Sequence, residues 1–433
     1  MTGSDQRDAD RPRVLAAHDP VATDPRLRPR PFVLALAANH ALFSLGLFSL
    51  MPVLPVLLAA LQRDSGAAFV GADLFIYAAA AGVGALVVNT WIQRLPYAAT
   101  LSGGLLLSAF GFGVLPYAHH PLALFSALLL AGLGYSIHLV YSRVLVAEVI
   151  PGDAERHRIY SILQIAVNAS AAIGPFIAVF LYASGDGRAL LGVVAACYAL
   201  SGLTMLTRVP RRLFPPPTTT QWAISRATIV SMLRDRLALR VVISTTVGSF
   251  LYAQFYSAFA IMVAWQVGSG SLRAVLLATP AISIVIAQSG VSRMVSRALT
   301  RGTHPAMVLI LATLVFGAAM LALGAGLTAI AGVFVGVALF SLAEMLFTPT
   351  VSTAFATLPV TSRLEAFNLR QVSWTLGEAV GAWAGGTVFL FCLEKDVGRI
   401  YWLTVGAATL LVMSAVMLTA RARPGKAGRP EAS

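Results

Sequence analysis

Charge is what this chain has least of. Only 11% of its 433 residues are Asp, Glu, Lys or Arg, against 58% hydrophobic, and the mean hydropathy is +0.79. That balance excludes an ordinary soluble domain, whose surface needs many more ionised groups. Cysteine is nearly missing too. Cys197 and Cys392 both fall inside apolar runs, which leaves two lipid-embedded thiols and no disulfide framework or zinc site. There is no phosphate loop of the GxxxxGK type, which argues against an ATP-driven pump. His119-His120 has no further ligands at metal-binding spacing, so neither a metal nor a cofactor is expected. An enzyme would need His, Asp, Glu or Cys clustered near one membrane face, and here they are dispersed, so no catalytic residue is assigned. The polar start is not followed by a short apolar run with a small-residue cleavage site, so no removed signal peptide is expected.

What is present is apolar length. Runs of about 20 apolar residues recur from Phe32 to Leu418, each able to cross a hydrocarbon core of roughly 30 Å. Twelve spans are expected, over 32–60, 69–92, 98–117, 122–148, 158–183, 188–207, 241–266, 272–293, 305–325, 328–357, 364–392 and 398–419. An even number puts both ends of the chain on one side. The net charge of +13 would otherwise invite nucleic acid as a partner, but the arginines gather at alternate ends of the apolar runs, which topology explains. With the ends cytoplasmic, only Arg63, Arg188, Arg273, Lys395 and Arg399 fall outside, and Arg143 and Arg370 fall within spans. The expectation is an all-α, multi-pass protein of a bacterial-type inner membrane, with its termini cytoplasmic and the lipid bilayer around it. A monomer needs no extra assumption.

Residues 1–31 interleave Arg7, Arg11, Arg13, Arg26, Arg28 and Arg30 with Asp5, Asp8, Asp10, Asp19 and Asp24, the composition of a solvated, disordered tail, and 420–433 is a basic one. The longest internal connection, 208–240, opens as RVPRRLFPPPTTT, a proline-stiffened linker. It continues with Trp222, Ile229, Leu233 and Leu237 among Arg226, Arg234 and Arg236, the pattern of a helix lying on the inner membrane surface. On this reading it separates two six-helix bundles, 32–207 and 241–419. An internal repeat agrees. At an offset of 207, YSILQIAVNASAAIG (160–174) aligns with FNLRQVSWTLGEAVG (367–381), setting Gln164 over Gln371, Asn168 over Thr375 and Gly174 over Gly381. Paired six-helix halves form a transporter architecture whose substrate site lies near the midplane between them.

The segment QIAVNASAAIGPF (164–176) holds Asn168 and the pair Gly174-Pro175. A proline there removes a backbone donor, and in lipid the resulting defect survives only against other helices or a wet cavity. Ser170 to Val179, SAAIGPFIAV, resembles the antiporter motif in the fifth helix of the major facilitator superfamily. The tenth span, SLAEMLFTPTVSTAFATLP, with Glu344 five residues before Pro349, is similar to that of its proton-coupled drug exporters. The resemblance covers about residues 32–419. It implies two pseudo-symmetric six-helix bundles that rock about a midplane site lined by spans one, four, seven and ten, with the Gly174-Pro175 segment at the flexing interface. Departures are also plain. The loop after span two, NTWIQRLPYAATL, keeps Arg94 but has Gln93 and Pro96 where the family has Asp and Gly. In LLLAGLGYS, Gly132 and Gly134 are kept, while Leu128 stands where the family commonly carries an arginine. Neither the usual charge-relay gate nor that coupling residue carries over.

Ionisable groups at mid-depth are functional candidates by default. Glu344 lies about 24 Å in from the outer start of its span and Glu378 about 21 Å in from the inner start of its own. Glu344 is the first choice for the coupling proton, because its protonation would follow whichever side the cavity faces. The plainer alternative is a glutamate bonded to a neighbouring helix for packing. Glu378 shares a face with Gln371 and Trp374, with a tie to Arg370 as the structural alternative. His138 sits with Tyr135, a candidate for the cavity wall, and Ser142 at helical spacing, and it relays a proton, binds an anionic solute or bonds a neighbouring carbonyl. Asn39 and His40 are candidates for the cavity wall, as are Tyr252, Gln254, Phe255, Tyr256 and Phe259, an aromatic patch suited to apolar or planar solutes. Asp73 is placed at the outer end of span two, with interfacial exposure favoured over a coupling role. Arg143 is within snorkelling reach of the inner surface and reads as an anchor. The function expected is export of small organic molecules in exchange for protons. A proton-linked importer, an uncoupled facilitator, and a non-transporting receptor or membrane enzyme remain as alternatives.

Overall fold

The computed structural model describes residues 29–61, 67–118, 120–182, 187–211, 213, 223–268, 270–325, 330–358 and 362–421, and among them there are helices but no strand. Both tails, the triple proline, Trp222 and His119 lie outside the described residues. The first half comprises α1 (Pro29–Leu50), α2 (Ala67–Val87), α3 (Tyr97–Val114), α4 (Pro121–Val149), α5 (Asp153–Tyr182) and α6 (Gly187–Arg208). The second comprises α7 (Arg236–Gln254), α8 (Gly270–Thr300), α9 (Pro305–Ala325), α10 (Ile330–Ala356), α11 (Arg363–Trp383) and α12 (Gly398–Arg421). Eleven helices among the described residues are long and apolar enough to cross a membrane, and α2 contributes a shorter apolar stretch, Ala72–Val87.

Helix ends follow local chemistry more than apolar length. α5 starts five residues before its apolar run, with Asp153 and Glu155 in the first turn, where the helix dipole favours carboxylates. α8 runs on to Thr300 with Arg297 in its last turn, for the converse reason. The surface helix between the halves is shorter than expected, spanning Arg226–Arg234. Asp235 ends it and caps α7, its Oδ1 accepting from Leu237 N at 2.7 Å. Leu237 therefore belongs to α7, not to the surface helix.

The two halves repeat one packing scheme. α1 packs on α5 and α6, α2 on α4, and α3 on α4 and α6, while α7 packs on α11, α8 on α10, and α9 on α10 and α12. Each half builds its own apolar core, one around Phe43, Leu101, Phe112 and Tyr198, the other around Phe259, Phe316, Phe340 and Phe347. The halves meet where α5 lies along α8 and α10, and where α11 lies along α2 and α4. Outward faces carry Phe176, Phe180, Ile286 and Leu411, exposed side chains that belong in lipid.

Small residues set the closest approaches. On α11, Gly377, Gly381 and Gly385 recur every fourth residue against α7 and its continuation: a Cβ on Gly377 would meet Thr246 O, one on Gly381 would meet Phe250 O, and one on Gly385 would meet Ser257 Oγ. At that level both helices widen into π turns, Phe255–Phe259 and Ala384–Val388, before continuing as Ala260–Gln266 and Phe389–Glu394. α5 runs through Pro175 without interruption. Gly174 faces α1, where a Cβ would lie 2.6 Å from the carbonyl carbon of Phe48, and Ser170 Oγ donates to Ala41 O at 2.9 Å. The Gly-Pro segment thus packs inside the first half, which corrects its expected position between the halves. The stripe of small residues that could have faced either way is taken by α1.

Gly381→Leu should overpack the α7–α11 contact and destabilise the protein by about 1–3 kcal/mol. Gly192→Ala, inside α6 where a Cβ meets nothing within 4 Å, should cost no stability and add up to about 1 kcal/mol. Thermal unfolding of both variants in detergent checks this.

Candidate functional site

Successive helices run back and forth, so the connections after α2, α4, α6, α8 and α10 share one end of the bundle with the start of α1 and the end of α12. This end carries Arg94, Arg156, Arg158, Arg226, Arg234, Arg297, Arg301 and Arg363. Hydrogen bonds between the halves gather toward this basic end. Ser296 Oγ donates to Ala154 O at 3.2 Å, His157 Nδ1 and Thr350 Oγ1 are 3.4 Å apart, and Asn368 Nδ2 donates to Asn89 Oδ1 at 3.1 Å. One turn deeper, Arg143 donates to Gln371 Oε1 at 3.4 Å. Deepest of all, Gln164 Nε2 donates to Glu344 Oε1 at 3.2 Å. The last two bonds are counterparts under the internal repeat. Gln164 on α5 reaches a charged-type side chain on α10, and Gln371 on α11 reaches one on α4.

Glu344 is only 1% exposed, and its Oε2 has no hydrogen-bond partner among the described residues. Toward the other end, the cleft wall is aromatic. Trp374 donates from Nε1 to Glu378 Oε2 at 3.0 Å, and its ring centroid lies 5.5 Å from Tyr252 and 5.7 Å from Phe347. The Tyr252 and Tyr256 hydroxyls are 3.2 Å apart, and both residues lie within electrostatic range of Glu344 and Glu378. Tyr256 is 60% exposed and Glu378 is exposed as well, so the cleft is closed at the basic end and open beyond mid-depth.

In the first half, His138 and His40 face each other with ring centroids 5.9 Å apart, and Phe43 lies 5.1 Å from both rings. His138 Nδ1 is bonded to Leu101 O and His40 Nδ1 to Leu36 O, while His138 Nε2 has no partner among the described residues. Tyr135 joins this cluster through an edge contact with Phe43 at 5.9 Å.

Several expected wall residues turn elsewhere. Asn39 donates to Ser201 O at 2.9 Å and to its Oγ at 2.7 Å, knitting α1 to α6. Gln254 donates to Gly381 O at 3.0 Å and accepts from Tyr401 at 2.6 Å, knitting α7 to α11 and α12. Asn168 donates to Gln164 O within α5. Phe255 and Phe259 are buried in the second core. Asp73 is buried, which corrects the expected interfacial exposure, because its face of α2 turns into the bundle. Arg143 is no snorkelling anchor: its guanidinium crosses to Gln371, and the Tyr160 hydroxyl donates to its carbonyl at 2.9 Å. Arg370, noted from the sequence as a charge inside a span and as the alternative partner of Glu378, is 2% exposed and stacks 5.2 Å over Trp374, while Glu378 is held by Trp374 Nε1. The signal for both was an arginine inside an apolar run, and for Gln164 its place in the repeat. Among the described residues no group of three or more His, Cys, Asp or Glu converges as metal ligands.

Comparison with known proteins agrees with this architecture. The family model of the Major Facilitator Superfamily matches residues 36–382. Among solved structures, the human organic anion transporter TETRAN is similar at 17% identity and a TM-score of 0.66, over 90% of this chain and 98% of that one. The E. coli fucose:proton symporter FucP is similar at 14% identity and a TM-score of 0.68, over 89% and 98%. A bacterial homologue of the iron transporter ferroportin, in its outward-facing state, is similar at 13% and 0.68, over 90% and 99%. At these identities the likeness is one of fold. No curated protein matches the chain in sequence.

Removing one rung of the closure should shift it. Gln164→Ala deletes a neutral donor worth about 1 kcal/mol net, a change of roughly fivefold in the ratio of closed to open basic ends. Spin labels on cysteines replacing Arg158 and Arg301, in a background lacking Cys197 and Cys392, should report a larger population of long distances in the variant.

Proposed function

The chain belongs to the major facilitator superfamily, and from that premise we propose that it is a secondary active transporter exporting small organic molecules, drugs or metabolites, in exchange for protons. The observation that carries the reading is Glu344. Among the described residues it is the one carboxyl in the closing series of cross-half bonds and its only hydrogen bond reaches the opposite half, and it sits at the inner limit of the open cleft. A neutral acid fits the closed form, accepting from Gln164. Among the described residues a carboxylate there has one 3.2 Å bond and no cation acting on it, so it favours the form in which water reaches it. Loss of the proton therefore loosens the deepest rung, and its gain restores it. That links protonation to which side the cleft opens on, the requirement of alternating access.

Glu378, exposed in the cleft, and His138, with a free ring nitrogen among the described residues, are the further candidates for passing protons to and from this site. The wall of Trp374, Tyr252 and Tyr256 suits a planar or apolar solute. In this reading both termini and the basic end face the cytoplasm of a bacterial-type cell, by the positive-inside rule, and the monomer is the working unit.

In reconstituted vesicles, an imposed pH gradient should drive solute against the proton flow. Glu344→Gln should abolish that gradient-driven uptake while keeping solute-for-solute exchange. Movement with the proton flow would mean symport, indifference to the gradient would mean facilitated passage, and an unaltered Glu344→Gln would remove Glu344 from the coupling.

A further inference from the structure

Two guanidinium groups in the seam between the halves, beside the aromatic wall of the cleft, are left nearly unused by the protein. Arg143, on α4 of the first half, makes one side-chain hydrogen bond, at 3.4 Å to Gln371. Arg370, on α11 of the second half, is 2% exposed, and among the described residues it makes no hydrogen bond; its Nε is buried without a partner there, and its guanidinium stacks over the Trp374 ring. Neither forms an ion pair among those residues. Each guanidinium offers five donors in a planar fork. A buried cation with a donor left empty, as at Arg370, is among the least stable arrangements a protein can hold, and more so in a membrane; Arg143 beside it is half-buried, with most of its donors unused.

The neighbours do not relieve this. Arg143 and Arg370 are within electrostatic range of each other, as are Tyr135 and Tyr160, which are neutral hydroxyls. His40 and His138 lie on the Arg143 side and add no negative charge. Glu378 is the carboxyl that Arg370 senses, but it stands eight residues on, about 12 Å along the same helix, and its Oε2 is held by Trp374 Nε1. Glu344 is tied to Gln164. What the site lacks is an acceptor-rich group that reaches both arginines at once. The planar, aromatic wall of Trp374, Tyr252 and Phe347 begins directly beside it.

We propose that Arg143 and Arg370 seat the anionic group of the transported molecule, which makes the substrate a planar or aromatic organic anion. This rests on the transporter reading and names the substrate class of that same site. The carboxylate, sulfonate or phosphate lies between the two forks, and the ring system lies along Trp374 and Tyr252. Because the two arginines come from opposite halves, the empty site holds like charges across the seam, and a bound anion converts that repulsion into a bridge. Substrate thereby draws the halves together.

The test uses the full-length protein in detergent micelles and two dyes with a common three-ring core, anionic fluorescein and cationic pyronin Y. Binding is followed by fluorescence polarisation. Fluorescein should bind more tightly than pyronin Y. Arg370→Gln and Arg143→Gln should each weaken fluorescein about tenfold or more, the loss of a charge-assisted hydrogen bond, and leave pyronin Y unweakened. Arg370→Lys, which keeps the charge, should lose less, and it separates binding from folding if a glutamine variant is not monodisperse. Tighter binding of pyronin Y, or fluorescein binding unchanged in both glutamine variants, would overturn the proposal. So would failure of fluorescein, 2-naphthoate and 2-naphthalenesulfonate all to bind. Flux of a cationic solute under a pH gradient together with such a failure would leave the transporter reading standing; anion binding without any flux would do the reverse.

Discussion

In hydrocarbon no water is available to satisfy a polar group, and that single constraint orders everything else in this protein. Backbone groups close within helices, and polar side chains turn inward to find carbonyls and hydroxyls on neighbouring helices. Ser102 reaches Gly202 O, Ser108 reaches Ala131 O, and Thr313 reaches Ser244 O, each pinning one helix to the next within a half. Such bonds are neutral and local, and they leave each half a rigid body.

Between the halves the polar contacts have a different character. Apart from Ser296 to the Ala154 carbonyl, they join side chain to side chain, Gln to Glu, Arg to Gln, Asn to Asn and His to Thr, at 3.1 to 3.4 Å, and they gather toward one end. A seam whose polar contacts are few and weak resists opening mainly through apolar packing at its basic end, where Ala356, Leu364 and Phe367 join the first core, and rocking of the two halves must part these contacts. The linker takes part as well: Glu365 on α11 accepts from Ser225, which caps the surface helix, and Asn368 donates to Ala223 O. The connection between the halves is thus fastened to the same end that the seam closes.

Much of the architecture was legible in the chain because hydropathy and length in a bilayer leave few choices. The bounds of α9 coincide with the apolar run 305–325, and the repeat that aligned Gln164 with Gln371 reappears as two equivalent cross-half contacts. Glu344 was legible for the same reason, as an acid inside an apolar run. Side-chain direction was not. Adjacent helical residues point about 100° apart, so Asn39 and His40, read together, part company: Asn39 turns to Ser201 on α6 and His40 to His138 on α4.

The sequence by itself determined that this is a helical membrane protein of repeated halves, which apolar runs become helices though not where each one ends, and which rare charges lie inside the spans. Only the tertiary structure decided which of those charges meet. Gln254 went to packing, Asp73 into the bundle, and Arg143 and Arg370 to the seam, because helix rotation and the pairing of α4 with α11 and of α5 with α10 set what each side chain faces. Hydropathy depends on residue type and is written along the chain, whereas rotation is settled only when twelve helices pack at once.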